Sequence, residues 1–359
     1  MKYNWNLTDI KDVKKNGLKV FSCFSCGGGS SMGYKMTGFD VIGCNEIDPK
    51  MMEVYNGNFE PKYAYLEGIQ TFKDRDDLPE ELYDLDILDG SPPCSNFSMA
   101  GNREKDWGKK KKFREGQKEQ VLDTLFFDFI DLAKKLQPKV IIAENVKGIL
   151  QGEAIEYVKK ILKDFEDAGY YTHHWLLDAS TMGVPQRRER VFSISIRKDL
   201  VDKIPGSKQT LFNQMPYLDL YFDEKRVLYK EFKKVDGSER GMSDLVKKYW
   251  SIRKKHHKRM SDVLKDLGMK DQRFGVCYVL DEKTPMTITS SGAYYREDTP
   301  STISITDLKN IGSFPQDYKF NRDTLNSATY IIGMSVPPLM IYQIANRIKE
   351  QWFDKLSTV

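Results

Sequence analysis

The stretch Lys19-Val20-Phe21-Ser22-Cys23-Phe24-Ser25-Cys26-Gly27-Gly28-Gly29-Ser30 decides the fold. Lys19 to Phe24 has the apolar character of a buried strand. The glycines after it suit a sharp turn at which the backbone approaches a ligand closely, at the N-terminus of a helix predicted from Ser30 to Thr37. We therefore predict a ligand-binding edge of an α/β sheet at the end of the first strand.

Strands and helices continue to alternate as far as residue 198. Apolar residues recur with a helical period from Glu119 to Gln137 and again from Ala154 to Phe165. The further predicted strands of this region are Asp40–Cys44, Leu85–Asp89, Val140–Ala143, Tyr171–Leu177 and Val191–Ile196. This alternation predicts a doubly wound α/β sheet, in which ligands bind at the C-terminal ends of the strands.

The second half of the chain has a different pattern. Residues 199–327 are irregular, aromatic and basic, with short strand candidates at Gly275–Leu280 and Met286–Thr289. From residue 328 the chain regains core character and ends in a predicted helix that reaches about Trp352. We therefore predict one domain from residues 1–198 plus 328–359 and a smaller, mixed domain from residues 199–327.

Chemically reactive side chains follow the predicted strand ends. Cys94 stands behind two prolines in Gly90-Ser91-Pro92-Pro93-Cys94, and these prolines restrict the backbone and present the sulfur. Glu144 follows the Val140–Ala143 strand, and Arg188 and Arg190 precede or open the Val191 strand. A thiol nucleophile, a carboxylate and arginines at neighbouring strand ends suit attack on an electron-poor ring.

These motifs, in this order, resemble those of the DNA cytosine-5 methyltransferases over nearly the whole chain. The five motifs are the Gly27–Gly29 turn, Pro93-Cys94, Glu144-Asn145-Val146, Gln186–Arg190 and Gly333-Met334-Ser335-Val336. The resemblance implies a Rossmann-like S-adenosylmethionine-dependent methyltransferase sheet. It also implies that the catalytic, cofactor-binding domain is residues 1–198 plus 328–359, and that residues 199–327 form a target-recognition domain.

The resemblance also implies roles for individual residues. Cys94 would add to C6 of a cytosine flipped out of the duplex, and C5 would then take the methyl group of S-adenosylmethionine. Glu144 would hydrogen-bond or protonate N3, while Arg188 and Arg190 would orient the base and favour the thiolate. Glu46, at the end of the second strand, would accept hydrogen bonds from the ribose of the cofactor. The cofactor-binding residues would be Phe24, Gly27, Gly28, Gly29, Glu46, Ile47, Ile69, Ser91, Pro93, Leu125 and Val336, and no metal is expected.

The chain departs from the family pattern at Cys26, Gly68, Ser95, Thr306 and Met334. Cys26 stands where the family has the first glycine of its turn, and we expect its backbone to avoid a conformation that only glycine favours. Met334 replaces an asparagine near the cofactor. None of these changes removes a group that the implied mechanism requires.

Composition and charge indicate the compartment and the partner. The 359 residues carry a net charge of only +4, but Lys109–Lys112 form one basic run, and the segment between Leu245 and Met260 holds seven Lys/Arg and no acid. Such runs fit phosphate contacts to double-stranded DNA. The five cysteines show neither disulfide nor paired metal spacing, the start lacks an apolar signal region, and no apolar run approaches membrane-spanning length. We expect a cytoplasmic monomer, prokaryotic or phage-encoded, with no membrane contact and with a cognate restriction endonuclease as a candidate partner.

Three alternatives stay open at this point. The first is a tRNA cytosine-5 methyltransferase on the same fold, and the second is a catalytically silent DNA-binding regulator on that scaffold. A nicotinamide oxidoreductase is a third, because the glycine turn with Glu46 fits any nucleoside cofactor. The sequence does not give the DNA recognition sequence.

Overall fold

The computed structural model describes residues 2–93, 124–151, 154–204, 216–270 and 275–356. The chain forms two compact units. The first, here called the sheet unit, comprises Asp12–Asp178, Glu189–Tyr221 and Ile341–Val359. The second, here called the mixed unit, comprises Met1–Lys11, Ala179–Arg188 and Phe222–Met340.

A seven-stranded sheet forms the centre of the sheet unit. Its strands are β1 (Lys19–Cys23), β2 (Asp40–Glu46), β3 (Tyr63–Leu66), β4 (Ile87–Gly90), β5 (Val140–Val146), β6 (Tyr170–Asp178) and β7 (Glu189–Arg197). Their order is β3-β2-β1-β4-β5-β7-β6. The pairs from β3 to β5 are parallel, whereas β7 runs antiparallel to both β5 and β6. The sheet is therefore mixed, with a single reversed strand.

Helices cover both faces of this sheet. They are α1 (Gly29–Met36), α2 (Pro49–Phe59), α3 (Ile69–Lys73), α4 (Leu125–Leu136), α5 (Ala154–Asp167) and α6 (Lys198–Val201). Phe21 and Cys23 of β1 belong to a core cluster with residues of α3, α4 and α5. Cys44 of β2 is the register partner of Ser22, between those two residues, and it packs with Met52 and Tyr55 of α2. Because successive side chains of a strand point to opposite faces, the two clusters lie on opposite sides of the sheet, and the predicted doubly wound fold is confirmed.

The mixed unit has its own small core. It contains α7 (Asp244–Ser251), α8 (Met260–Asp266), β8 (Val276–Val279), β9 (Ala293–Arg296), α9 (Ile305–Gly312) and α10 (Leu325–Met334). The strands β8 and β9 form a two-stranded parallel sheet. Val246, Met260 and Tyr278 are buried together in the cluster that α7, α8 and β8 share.

The chain ends in a helical tail, and short 3-10 helices lie between the larger elements. The tail consists of α11 (Pro338–Ile348), a π-helical turn at Lys349–Phe353 and α12 (Asp354–Leu356). The 3-10 helices are Leu7–Ile10, Glu80–Tyr83, Lys147–Leu150, Ala179–Thr181 and Tyr229–Glu231.

Most predicted elements occur with shifted ends, but one prediction is wrong. Met286–Thr289 is not a strand, because Met286 forms only an isolated bridge to Arg187. The partner of β8 is instead β9, which follows Gly292. The predicted start of the long helix at Glu119 lies outside the described residues, and α4 is described from Leu125.

The compact units are bounded differently from the predicted domains. Residues 2–11 belong to the mixed unit, where the Trp5 indole N–H donates to the Ser313 carbonyl at 2.9 Å. Residues 216–221 belong to the sheet unit, where the Asp219 amide donates to Gln351 Oε1 at 2.8 Å. Hydrogen bonds between residues far apart in sequence thus set these bounds. The catalytic and target-recognition roles assigned to the predicted domains stay predictions.

Among the described residues, one segment meets the length and apolar composition of a membrane-spanning helix, by those two measures alone. It is Leu325–Leu356, and 78% of its most apolar window is buried inside the protein. Core helices of globular proteins have the same properties. Extended backbone at Ser335 (φ −85°, ψ 152°) ends α10 within this segment.

Candidate active site

The strand register brings the predicted motifs of the sheet unit to one edge. Cys23, the last residue of β1, pairs with Asn45 of β2 and with Gly90, the last residue of β4. Gly90 in turn pairs with Ala143 of β5. The glycine turn, Glu46, the Ser91–Pro93 segment and Glu144 therefore all follow or end parallel strands at the same carboxyl edge, where α/β sheets bind ligands.

The turn after β1 is tightly wound. Phe24 has φ +52°, Cys26 has φ +45° and Gly28, the N-cap of α1, has φ +79°. The expectation that Cys26 avoids a glycine-favoured conformation is wrong, since its φ lies in the left-handed region. The Cys26 N–H donates to Glu46 Oε2 at 2.8 Å, and this bond holds the turn against the end of β2.

Glu46 is fixed by backbone donors, among them the amides of Cys26 and Asp48, and retains capacity for a ligand. Its side chain is buried, with Oε2 on the Cys26 amide and Oε1 on the Asp48 amide at 2.9 Å. A carboxylate offers about four lone-pair positions, so further acceptor sites remain for the hydroxyls of a ribose. Burial raises the pKa of Glu46 to about 7, against the backbone hydrogen bonds that lower it. This set of acceptors fits a nucleoside cofactor.

The other predicted cofactor residues occupy varied places. Phe24, Ile47, Ser91 and Pro93 are half-buried, and the rings of Phe24 and Phe129 lie 6.3 Å apart. Ile69 and Leu125 are fully buried in the core cluster of the sheet unit. Gly27, Gly28 and Gly29 form the turn itself, whereas Val336 is a buried residue of the mixed unit. The cofactor role of each stays a prediction.

Glu144 and Arg190 form a buried ion pair within the sheet unit. Arg190 Nε lies 2.8 Å from Glu144 Oε1, and the two side chains are 15% and 12% exposed. Glu144 is a residue of β5 itself, and the antiparallel β7 places Arg190 opposite Val146. Burial lowers the pKa of the Arg190 guanidinium, and the charge of Glu144 opposes that effect. The pair places a hydrogen-bond acceptor, the Glu144 carboxylate, beside the donor groups of the Arg190 guanidinium at the strand ends.

Asn145 connects β5 with the segment that precedes the predicted nucleophile. Its side-chain amide Nδ2 donates to the Pro92 carbonyl at 3.2 Å, while its Oδ1 accepts from the Val146 amide. Cys94 lies outside the described residues, as does the polar segment that follows it with Lys109–Lys112. The carbonyl two residues before Cys94 is nevertheless held beside Glu144.

Arg188 has a different environment from Arg190. It is a buried residue of the mixed unit, and it donates to the carbonyls of Ile288, Gly333 and Ser335 at 3.1 to 3.2 Å. The structure therefore brings Glu144 and Arg190 together and assigns the Arg188 guanidinium to backbone acceptors. Its predicted role in orienting the base stays a prediction.

Sequence reasoning missed a buried acid beneath the turn. Asp89 of β4 accepts hydrogen bonds from Ser22 Oγ at 2.8 Å and from the Tyr34 hydroxyl at 3.0 Å, which links β4 to β1 and α1. Burial raises the pKa of Asp89 to about 7. The signal available in the sequence was an acid at the end of an apolar strand, the same signal that identified Glu46.

The basic segment between α7 and α8 is less uniform than its sequence. Lys254 forms an ion pair with Asp266, whereas Lys255 and Lys258 are exposed. Within the described ranges, His256, His257 and Asp266 could together hold a metal ion by spacing alone. However, His257 already contacts the Lys254 amide and Asp266. We therefore assign these residues to the packing of the segment.

The fold and the site together define a class of protein. The sheet has one reversed strand, a glycine turn after β1 and an acid at the end of β2, as in Rossmann-like S-adenosylmethionine-dependent methyltransferases. A putative DNA modification methyltransferase encoded within an E. coli prophage has the same fold, with a TM-score of 0.62 and 20% identity. The alignment covers 93% of this chain and 99% of that one.

Sequence comparison gives the family. Residues 18–350 match the model of the C-5 cytosine-specific DNA methylases. The chain is 31% identical to the type II methyltransferase M.FnuDI of Fusobacterium nucleatum, over 94% of this chain and 96% of that protein. It is 30% identical to M.NgoPII of Neisseria gonorrhoeae, over 93% and 96%. The chain belongs to the C-5 cytosine-specific DNA methylase family, and it is a DNA cytosine-5 methyltransferase with S-adenosylmethionine as methyl donor.

Proposed function

We propose that the protein methylates C5 of one cytosine within a specific duplex sequence, through a covalent bond between Cys94 and C6 of a flipped-out base. The observation that carries this proposal is the hydrogen bond from Asn145 to the Pro92 carbonyl, next to the Glu144–Arg190 ion pair. It holds the backbone before the thiol beside the acid that would activate the ring. A flipped base is required because C5 and C6 cannot be reached by a side chain inside a stacked duplex.

The chemistry divides among this chain's residues. The Cys94 thiolate adds to C6, and the electron pair of the C5–C6 double bond moves toward C4 and N3, where Glu144 supplies a proton or a hydrogen bond. C5 becomes nucleophilic and would form the new carbon–carbon bond as the methyl–sulfur bond breaks, with the cofactor sulfur leaving as a neutral thioether. S-adenosylmethionine supplies an electrophilic methyl group on its sulfonium. Loss of the C5 proton to water and elimination of the thiolate then restore the ring and the enzyme.

Arg190 has two roles in this scheme. Its guanidinium fixes the orientation of Glu144 through the 2.8 Å contact, and its charge favours negative charge nearby, including that of the Cys94 thiolate. Since both side chains are nearly buried, this attraction is screened little by salt.

A mechanism-based probe tests the covalent step. In a duplex site containing 5-fluorocytosine, methylated C5 carries fluorine instead of a removable proton, so elimination stops. We expect a denaturant-resistant protein–DNA adduct that forms only with S-adenosylmethionine and maps to Cys94 by peptide analysis. Cys94→Ser should abolish the adduct, because a serine hydroxyl is far less ionised near neutral pH.

Controls and contrary outcomes are available in the same assay. Cys26→Ser changes a half-buried thiol of the glycine turn and should leave the adduct at Cys94. The covalent mechanism is wrong if cytosine is methylated with no trapped adduct, or if the adduct maps to Cys23, Cys26, Cys44 or Cys277. Methyl transfer to tRNA that is faster than transfer to duplex DNA would favour the alternative of a tRNA substrate.

The proposal includes two statements about assembly and place. The protein acts as a monomer in the cytoplasm, and a restriction endonuclease of the same sequence specificity is its candidate partner. Light scattering of the protein with and without a duplex site tests the first statement. An endonuclease gene beside the coding sequence, whose product cuts only unmethylated sites, would support the second.

A further inference from the structure

We propose that a groove in the mixed unit reads the major-groove edge of one G·C base pair, with Arg253 as the residue that determines specificity. This inference rests on the proposed action on a specific duplex sequence. The groove encloses about 490 Å³ between the end of α7 and the carboxyl ends of β8 and β9. Trp250, Ser251, Arg253 and Lys255 line one side. Asp281, Glu297 and Asp298 line the other.

Arg253 is held in a fixed position within this groove. Its guanidinium carbon lies 5.5 Å from the ring centre of Trp250 and 5.7 Å from that of Tyr278. One terminal nitrogen donates to the Glu297 carbonyl, and the Trp250 indole N–H donates to the Arg296 carbonyl at 2.9 Å. Within the described residues, Arg253 Nε is buried without a hydrogen-bond partner, so the other terminal nitrogen is the donor available to a ligand. Because the aromatic contacts already restrict the Arg253 side chain, that side chain loses less rotamer entropy when a ligand binds.

The charges of the groove argue against a phosphate as its ligand. Lys233 Nζ lies 3.0 Å from Asp281 and 2.5 Å from Asp298, so it neutralises part of the acidic side. Lys233, Arg253 and Lys255 together balance the negative charge of the three carboxylates. A phosphate in the groove would be repelled by the Glu297 carboxylate. A neutral ligand with both acceptors and donors fits better than an anion.

A G·C pair presents such a pattern in the major groove. Guanine offers O6 and N7 as acceptors for an arginine, and cytosine offers its N4 amino group to a carboxylate. Glu297 Oε1 accepts from the Asp281 amide at 2.7 Å, which orients the carboxylate and leaves Oε2 as an acceptor. Arg253 donates to the backbone carbonyl of Glu297, so the donor and the acceptor belong to two residues in direct contact.

The experiment uses the full-length protein and a pool of duplexes with randomised positions around a cytosine. The pool is scored by bisulfite sequencing for methylation and, separately, by selection of bound duplexes. Wild type should require a G·C pair at a defined position. Arg253→Ala should lose that preference by about 10- to 150-fold at this one position, because the hydrogen bond from a charged donor to the guanine is lost. Glu297→Gln should relax the same position.

A matched control separates base reading from general attraction. Arg240 is an exposed arginine of the same unit outside the groove, and Arg240→Ala should leave the preference at that position unchanged. If Arg253→Ala unfolds the unit, Arg253→Lys keeps the charge but not the fork, and it should still relax the position.

Two results would overturn the inference. One is retention of the full sequence preference by both Arg253→Lys and Glu297→Gln. The other is uniform weakening on all duplexes with a smaller salt dependence, which would make Arg253 a phosphate contact. Failure of wild type to methylate any duplex would instead contradict the proposed function, while the binding selection would still report on the groove.

Discussion

At the scale of single residues, the glycine turn contains the most unusual backbone of the site. Cys26 has φ +45°, a region in which a side chain costs about 1 kcal/mol relative to glycine. We expect Cys26→Gly to relieve this strain, offset in part by the greater flexibility of glycine in the unfolded chain. The net effect should be between zero and about 1 kcal/mol of stabilisation, measured by urea unfolding.

Two further variants show whether the backbone decides this effect. Cys26→Ala keeps the strain and should resemble wild type, whereas the β-branched Cys26→Val should destabilise. Destabilisation by Cys26→Gly beyond about 1 kcal/mol would mean that contacts of the thiol outweigh the strain.

Glu46 connects the turn to the cofactor. Glu46→Ala should weaken S-adenosylmethionine binding by at least about 10-fold, because a hydrogen bond to a charged acceptor contributes roughly 1.5–3 kcal/mol. Binding to duplex DNA should change little. Titration calorimetry measures the first effect, and Glu53→Ala, an exposed acid of α2, serves as the control. Unchanged cofactor affinity would remove Glu46 from the cofactor site.

At the scale of elements, the carboxyl end of β5 organises the candidate site. It carries Glu144 and Asn145, and it contacts both β7 and the segment before Cys94. Local patterns predicted every strand of the large sheet except β3 (Tyr63–Leu66), because apolar runs between turns are a local property. They did not predict that β7 runs antiparallel, although this orientation places Arg190 beside Glu144 and is a property of the assembled sheet.

Asn145→Ala tests whether that strand end positions the nucleophile. It removes a buried hydrogen bond worth roughly 1–3 kcal/mol, so the 5-fluorocytosine adduct should form about 5- to 100-fold more slowly. Cofactor affinity should stay at the wild-type value. Asn16→Ala, which removes a comparable bond to the Thr37 carbonyl before β1, should leave the rate unchanged. Equal slowing by both variants would indicate a general loss of stability.

The strand that sequence reasoning misplaced shows the limit of local patterns. Met286–Thr289 has the residue types of a strand, but its backbone does not pair within a sheet, and Ala293–Arg296 pairs with β8 instead. Part of the reason is visible at Thr289, whose amide is taken by the Tyr294 hydroxyl. A hydrogen bond from a backbone amide to a side chain five residues away leaves no mark on the apolar pattern from which the strand was predicted.

At the scale of the whole molecule, two buried acids make stability depend on pH. Burial raises the pKa values of Asp89 and Glu46 to about 7 in the folded state, above the ordinary values of 3.8 and 4.5. The folded protein therefore binds more protons than the unfolded chain between about pH 4 and pH 7. The free energy of unfolding should fall as pH rises through this window and level off above pH 7.

Asp89→Asn should remove the contribution of Asp89 to this pH dependence. For a shift of about three pKa units, that contribution is a total change in the free energy of unfolding on the order of 4 kcal/mol across the window. Urea unfolding at several pH values from 4.5 to 7.5 measures it. Asp84→Asn is the control, since hydrogen bonding to Lys19 lowers the pKa of that exposed acid and its contribution is already complete above pH 4. A slope that Asp89→Asn leaves intact would place the proton uptake elsewhere.

The two compact units were the hardest feature to predict. The sequence pattern changes near residues 198 and 328, and the predicted domain bounds followed that change. The chain instead passes from one unit to the other at five places. Long-range hydrogen bonds hold the short segments in the mixed unit: the Trp5 side chain donates to the Ser313 carbonyl, and the Gln186 side chain donates to the Ile311 carbonyl. Pairing over such distances depends on the completed fold.

The hydrogen bond between Trp5 and Ser313 also has a consequence for synthesis. Trp5 leaves the ribosome 308 residues before its partner. At 5–20 residues per second, the tryptophan waits about 15–60 s with its ring exposed to solvent or to other chains. The sheet unit likewise needs its last segment, from Ile341 onward. Nascent chains that stall before residue 313 should therefore expose both the unpaired Trp5 and a sheet unit without its C-terminal helical segment, which makes them natural clients of chaperones during translation.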